Sequence, residues 1–260
     1  MSYPFADGRD ACGPFTYIVP IIGSLLYVIF VLDTIKKQYW GLTAALTVWF
    51  TFVLVLSTQD VLFDNPETWV YPDDWPGFIG LALLPSFPPT IAIYFYFKND
   101  HFRQYILGIP AWVMIMSQVY RSGGYVYLYL WYQGAMPNYV GFQTGVLDIF
   151  MGLTSLPVGY LVKTSGLTKN KRLVIIWHCL GLYDLASGIS LCTLSFATLY
   201  NTQGFPLFGF FPISSIVGWQ VPIAISIHLL FLFQYDVLLE HEGKKTPPLS
   251  PEVAIATSSA

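Results

Sequence analysis

Seven apolar stretches, each close to the length that an α-helix needs to cross a bilayer, constrain this chain most strongly. They cover residues 15–34, 39–58, 77–98, 103–131, 139–162, 173–200 and 213–237. Charged residues make up only 10% of the 260 positions, whereas a soluble domain carries about 25%. Too little charge is present to cover a water-facing surface. We therefore predict an all-α membrane protein with seven transmembrane helices over residues 15–238.

The basic residues predict the orientation of these spans. Ten of the twelve Lys and Arg residues follow the first, third, fifth or seventh stretch, and Arg9 and Arg121 are the exceptions. Because Lys and Arg are enriched in cytoplasmic loops, residues 1–14 are predicted to lie outside and residues 239–260 in the cytoplasm. That tail is rich in Ser, Thr and Pro and is predicted to be disordered. The lipid bilayer is the expected partner, and a net charge of −3 does not indicate nucleic acid.

Ionisable side chains within the stretches are the candidate functional groups, because such residues are costly in a membrane and usually functional. Arg121 lies in the fourth stretch, Asp148 in the fifth, His178 and Asp184 in the sixth, and His228 in the seventh. The helical rise per residue places Arg121 and Asp148 in the outer half, Asp184 near the midplane and both histidines in the inner half. We predict that Arg121 pairs with Asp148, with Asp184 as a second candidate partner.

This set of residues is typical of a polar pocket for acid–base chemistry. Two carboxyl groups close together in an apolar site favour a proton on one of them, and histidine can relay protons near neutral pH. The candidate catalytic residues are Asp148, Asp184, Arg121 and His228, and the candidate substrate-binding residues are Gln118, Gln220, Trp177 and His178. An aromatic content of 18% would suit a flat lipophilic ligand.

Neither a metal nor another cofactor is predicted. His178 and Asp184 are six residues apart, which puts them on different faces of one helix. A structural interpretation also remains open for every polar group named above. In that case the Arg121–Asp148 pair would only hold the fourth and fifth helices together, and each histidine would only hydrogen-bond a neighbour.

The second half of the chain carries a set of motifs between residues 118 and 232. These are Gln118-x-x-Arg121, Gly134-x-x-Pro137, Phe142-x-x-Gly145-x-x-Asp148-Ile149, Gly152-Leu153-Thr154, Trp177, Gly181-Leu182, Pro222 and His228. In these residues the chain resembles a family of uncharacterised multi-pass membrane proteins that is widespread in bacteria. The resemblance implies a helical membrane fold with a polar constellation, and no activity. His178 departs from the family pattern, which has Asn after the Trp.

Two better-known seven-span classes fit less well. Retinal proteins need a Schiff-base lysine in the last span, and residues 213–237 contain no lysine. Small membrane terpene cyclases of fungal biosynthetic pathways are similar in size and span count, but their second span typically carries a Trp-Glu pair. Here Trp49 is followed by Phe50.

Three functional hypotheses follow from the sequence. The first is a membrane-embedded enzyme, an acid–base isomerase or cyclase that acts on a lipophilic small molecule in a biosynthetic pathway. The second is a proton-coupled transporter or carrier, which the absence of an internal repeat disfavours mildly. The third is a receptor-like or accessory membrane subunit with a structural polar pair.

Overall fold

The computed structural model of the protein describes residues 13–59, 83–136, 138–199 and 213–245, with the backbone alone for 192–199 and 241–245. These ranges are helical and contain no β-strand, so the predicted all-α class is confirmed for the described part of the chain. The helices are α1 (Ile18–Lys36), α2 (Trp40–Thr58), α3 (Phe87–Lys98), α4 (Asp100–Leu107), α5 (Ala111–Met116), α6 (Tyr125–Tyr132), α7 (Asn138–Ser165), α8 (Leu167–Leu199), α9 (Val221–Phe233) and α10 (Tyr235–Lys245).

Shorter turns connect some of these helices. They are the 3₁₀ segments Pro14–Tyr17 and Ser117–Gly124, the helical turn Ile213–Ser215 and the π-helical turn Ile216–Gln220. Helix α10 reaches Lys245, so the beginning of the predicted disordered tail is helical. The rest of that tail and residues 1–12 lie outside the described residues.

Five helical segments in the described residues are long and apolar enough to cross a membrane. They are Pro14–Lys36, Trp40–Thr58, Asn138–Ser165, Leu167–Leu191 and Ile213–Phe233. Each coincides with one of the seven predicted spans. The predicted third span begins in residues 77–82, outside the described part, and continues into α3. The fourth is divided into shorter elements.

The predicted start of the fourth span at residue 103 is wrong. Helix α4 is a separate short helix, and the side chain of Asn99 caps its start by accepting a hydrogen bond from the Phe102 backbone N–H at 2.9 Å. The chain then breaks at Gly108 and at Pro110, which has no backbone N–H to continue a helix. Helical structure resumes at Ala111 and continues to Tyr132 as α5, the 3₁₀ segment and α6. We call residues 111–132 the fourth segment.

The middle of the fourth segment forms a 3₁₀ helix for local reasons. The hydroxyls of Ser117 and Ser122 each donate to a backbone carbonyl three residues earlier, that of Met114 and that of Val119, both at 2.8 Å. Such bonds compete with the α-helical hydrogen-bond pattern. The two glycines that end the segment also have a low propensity for the α-helix. Because a 3₁₀ helix has three residues per turn, side chains three apart share one face. The residues of that face are Gln118, Arg121 and Gly124, and all three are buried.

Glycines on one face of α7 allow it to pack closely against the fourth segment. A Cβ atom on Gly145 would lie 3.0 Å from the Gly124 carbonyl oxygen, and a Cβ atom on Gly152 would clash with the Ser122 backbone nitrogen. Small residues are the usual means by which membrane helices bring their backbones together. Asp148 lies between these two glycines in the sequence, so the same face that packs closely also presents a carboxylate.

Indole hydrogen bonds attach α1 and α2 to the turn before α9. Trp219 donates to the Gly23 carbonyl on α1 at 3.0 Å, and Trp49 on α2 donates to the Gly218 carbonyl at 2.9 Å. Carbonyls of a π-helical turn are less fully used by the helix itself. These bonds therefore fix the entry to α9, the helix that carries His228.

A polar junction joins the end of α1 to α4. The Tyr105 phenol donates to the Asp33 carboxylate at 2.7 Å, and Lys37 pairs with the same carboxylate at 3.0 Å. Burial raises the pKa of the Tyr105 phenol, and the Asp33 carboxylate raises it further. The phenol consequently stays a hydrogen-bond donor, which holds α4 against α1.

Replacing Gly152 by Ala should destabilise the protein by about 1–3 kcal/mol, the usual cost of adding a methyl group where no space exists. Thermal unfolding in detergent or nanodiscs would measure the loss. The matched control is Gly41→Ala in α2, where no atom lies within 4 Å of the added carbon. That variant should lose no stability. Equal stability of the two variants would contradict the close packing of α7.

Candidate functional site

The centre of the candidate site is the guanidinium group of Arg121, which is 3% exposed. Its Nε donates to Asp148 Oδ1 at 2.8 Å, and its Nη2 donates to Asp184 Oδ2. Its Nη1 faces His228 Nε2 at 3.2 Å. Every nitrogen of the guanidinium therefore has a side-chain partner, and the partners come from α7, α8 and α9.

Two of the three partners reach Arg121 because a glycine leaves room for them. A Cβ atom on Gly124 would clash with Asp148, and a Cβ atom on Gly181 would clash with the His228 ring. The first glycine brings α7 against the 3₁₀ segment, and the second brings α9 against α8. Substitution of either would push a site residue away from the guanidinium.

The two buried histidines contact each other. His178 Nδ1 lies 2.8 Å from His228 Nδ1, and the His178 ring stacks on Phe231 with centroids 3.9 Å apart. Trp177 packs its indole edge-on to the His178 ring at 5.1 Å and donates to Thr154 Oγ1 at 3.0 Å. The site thus extends from Asp148 through Arg121 and His228 to His178.

One cation faces two carboxyl groups in this cluster. Asp184 Oδ1 is a buried atom with no partner among the described residues. An unbalanced charge buried in an apolar bundle is expensive. The cluster is neutral only when one of the two carboxyl groups carries a proton.

A small cavity borders the cluster. Its volume of about 20 Å³ is enough for about one water molecule. The lining includes Tyr120, Tyr127, Gly124, Arg121, Asp148, Leu185 and Gln220, but not Asp184. Of the two carboxyl groups, Asp148 is therefore the one that a molecule in this cavity would meet.

The structure brings all four predicted catalytic residues together. Both predicted partners of Arg121, Asp148 and Asp184, contact it, and His228 adds a third contact that the depth estimate did not suggest. The depth estimate from the sequence placed these residues at different depths in the membrane, but the long side chain of Arg121 reaches all of them. The catalytic roles of these four residues stay a prediction.

The predicted substrate-binding residues are more dispersed. Gln220 lines the cavity, although its side-chain amide donates to the Val19 carbonyl at 3.1 Å. Trp177, His178 and Gln118 are buried away from the cavity lining. Neither polar atom of the Gln118 side chain has a partner among the described residues. Their binding roles also stay a prediction.

Two tyrosines of the site were not predicted. Tyr120 and Tyr127 line the cavity, and the Tyr120 phenol donates to the Gln220 carbonyl at 3.0 Å. In a chain with 18 tyrosines, no sequence signal separates these two from the rest. Thr154, the acceptor for Trp177, belongs to the Gly152-Leu153-Thr154 motif and could have been recognised from the sequence as a polar partner.

Within the ranges that the structure describes, no group of three or more His, Cys, Asp and Glu residues is arranged to hold a metal ion. In comparisons with known proteins, no family model matches the chain, and neither a curated protein nor a solved structure matches it.

Arg121→Met should reduce the free energy of unfolding by roughly 3–5 kcal/mol, because it leaves buried carboxyl groups without their cation. Chemical or thermal unfolding in detergent would measure this loss. The control is the triple variant Arg121→Met, Asp148→Asn, Asp184→Asn, which leaves no buried charge. It should recover part of the loss, and a triple variant less stable than Arg121→Met alone would contradict the charge balance.

Proposed function

We propose that the chain is a multi-pass membrane protein with seven spans, its N-terminus outside and its C-terminus in the cytoplasm. Five helices support this directly by length and apolarity. The fourth segment, from Ala111 to Tyr132, adds a continuous helical run of similar length. Helix α3 would be the inner end of the remaining span. With seven spans, ten of twelve basic residues lie on one side, as the positive-inside rule requires.

Its function, in our proposal, is that of a membrane-embedded acid–base enzyme that isomerises or cyclises a lipophilic small molecule. One observation carries the proposal: the buried carboxyl group of Asp148 both pairs with Arg121 and lines the small cavity, while Asp184 pairs with the same guanidinium. A proton donor next to a protected apolar space is what protonation of a carbon–carbon double bond or an epoxide requires.

The three charged residues would have different tasks. Asp148 would deliver a proton to the substrate, since it borders the cavity and Asp184 does not. Arg121 would stabilise the carboxylate that remains, a preorganised interaction that costs no rearrangement during the reaction. Loss of a proton from a neighbouring carbon of the substrate would then return a proton to the carboxyl pair. Atoms and charge balance, so no cofactor is consumed.

Aromatic residues give the cavity a suitable lining. Tyr120 and Tyr127 line the cavity together with Asp148, and aromatic ring faces favour a developing positive charge on carbon. The cavity is small, so a substrate would enter by separating the lining residues.

Asp148→Asn should abolish turnover while leaving Arg121 paired with Asp184. Cells that express the native protein or the variant would be compared by chromatography and mass spectrometry of their lipophilic extracts. Isomerisation and cyclisation conserve mass, so native cells should contain a compound that differs from its precursor in retention time only. Growth in D₂O should add deuterium to it.

The matched control is Asp33→Asn, which neutralises a carboxylate at the end of α1, outside the cluster, and should leave the product unchanged. Extracts that are identical for the native protein and Asp148→Asn, at equal expression, would contradict the proposed enzyme.

A proton-coupled carrier is the second candidate, and one observation favours it. The polar contacts continue from the cavity past Arg121 to His228 and His178, further than a single catalytic acid needs. Proteoliposomes that contain a pH-sensitive dye would acidify on addition of a substrate in that case. A receptor-like or accessory role would instead survive the simultaneous neutral replacement of Arg121 and Asp148.

The orientation predicts opposite labelling on the two sides of α7, at Tyr132 in α6 and at Lys169 in α8. In a background without native cysteines, Tyr132→Cys should react with a membrane-impermeant maleimide in intact cells. Lys169→Cys should react only after permeabilisation. Both positions are exposed. Labelling of Lys169→Cys in intact cells would contradict the orientation, and labelling of both would contradict the crossing of α7.

A further inference from the structure

The contact between Arg121 and His228 determines where the histidine ring carries its proton. A guanidinium group only donates hydrogen bonds. His228 Nε2 faces Arg121 Nη1 at 3.2 Å and must therefore accept. The ring proton of His228 is consequently on Nδ1.

The position of the ring proton on His178 follows from its contact with His228. His228 Nδ1–H faces His178 Nδ1 at 2.8 Å, so His178 Nδ1 accepts and the ring proton of His178 lies on Nε2. The three side chains form a directed relay of donors from Arg121 through His228 to His178. Both acceptor nitrogens are occupied, and the relay orients Arg121.

The last donor of the relay, His178 Nε2–H, has no acceptor among the described residues. The His178 side chain is fully buried. A buried N–H left in this state costs about 1–3 kcal/mol. Gln118 is also fully buried with both side-chain polar atoms unpartnered in the described part of the chain. It lies one 3₁₀ turn from Arg121 on the same face.

We propose that His178 Nε2–H is one side of a second, buried binding position that takes a neutral oxygen acceptor. The acceptor would be a water molecule or the carbonyl or hydroxyl oxygen of a lipophilic molecule. A neutral acceptor fits because the nearby cation, Arg121, is already matched by carboxyl groups, and an added anion would be unbalanced.

This position differs from the cavity beside Asp148, whose lining includes neither His178 nor Gln118. The proposed position depends only on hydrogen bonding. It therefore holds or fails independently of the acid–base chemistry proposed above.

Nitrogen-15 NMR of the histidine rings, recorded on the full-length protein in nanodiscs, tests the proposal. His228 should carry its proton on Nδ1 and His178 on Nε2, and the His178 N–H resonance should be shifted as in a hydrogen-bonded imidazole. His178→Asn would assign the signals. His101→Gln, an exposed histidine on α4, is the control and should change neither ring of the pair.

The source of the acceptor is read from the same sample. Magnetisation transfer from water to the His178 N–H would identify water, and transfer from aliphatic protons with a matching compound in the organic extract would identify a bound molecule. Either result supports the proposal. A proton on His228 Nε2, an unprotonated His178 Nε2, or a His178 N–H resonance typical of a free imidazole would overturn it.

Discussion

The burial of one guanidinium group sets the requirements for the rest of this bundle. Arg121 is 3% exposed, and a cation taken out of water without partners is too costly to keep. The protein supplies partners from three other helices, with one carboxyl group from α7, another from α8 and an imidazole from α9. The planar fork of arginine presents donors in fixed directions and serves all three at once. The arrangement of the helices and the contacts of the polar site therefore depend on each other.

Close backbone packing makes the contacts of Arg121 possible. Gly145 and Gly152 bring α7 against the fourth segment, and Gly124 leaves room for the Asp148 side chain that lies between them in the sequence. The 3₁₀ geometry then aligns Gln118 and Arg121 on the buried face. The same contacts that stabilise the bundle therefore position the groups that we assign to chemistry.

Much of this could be predicted from the sequence, and the limits have physical causes. Apolar length and low charge indicate helices in a bilayer, and the rarity of intramembrane charge singled out Arg121 with its carboxyl partners. The break at Gly108 and Pro110 was missed because the residues around it remain apolar. The contact between His178 and His228 was missed because a depth estimate counts residues along separate helices and carries no information about side-chain direction. Tyr120 and Tyr127 carried no distinguishing signal in so aromatic a chain.

The central claim is that, of the two carboxyl groups that face the one cation, one carries a proton. Infrared difference spectroscopy of the native protein against Asp148→Asn and against Asp184→Asn measures this directly. The account predicts one protonated carboxyl band in the native protein that shifts in D₂O and is lost in both variants, since Arg121 with one remaining carboxylate is already neutral. A native protein without that band, or a band that persists in either variant, would contradict it.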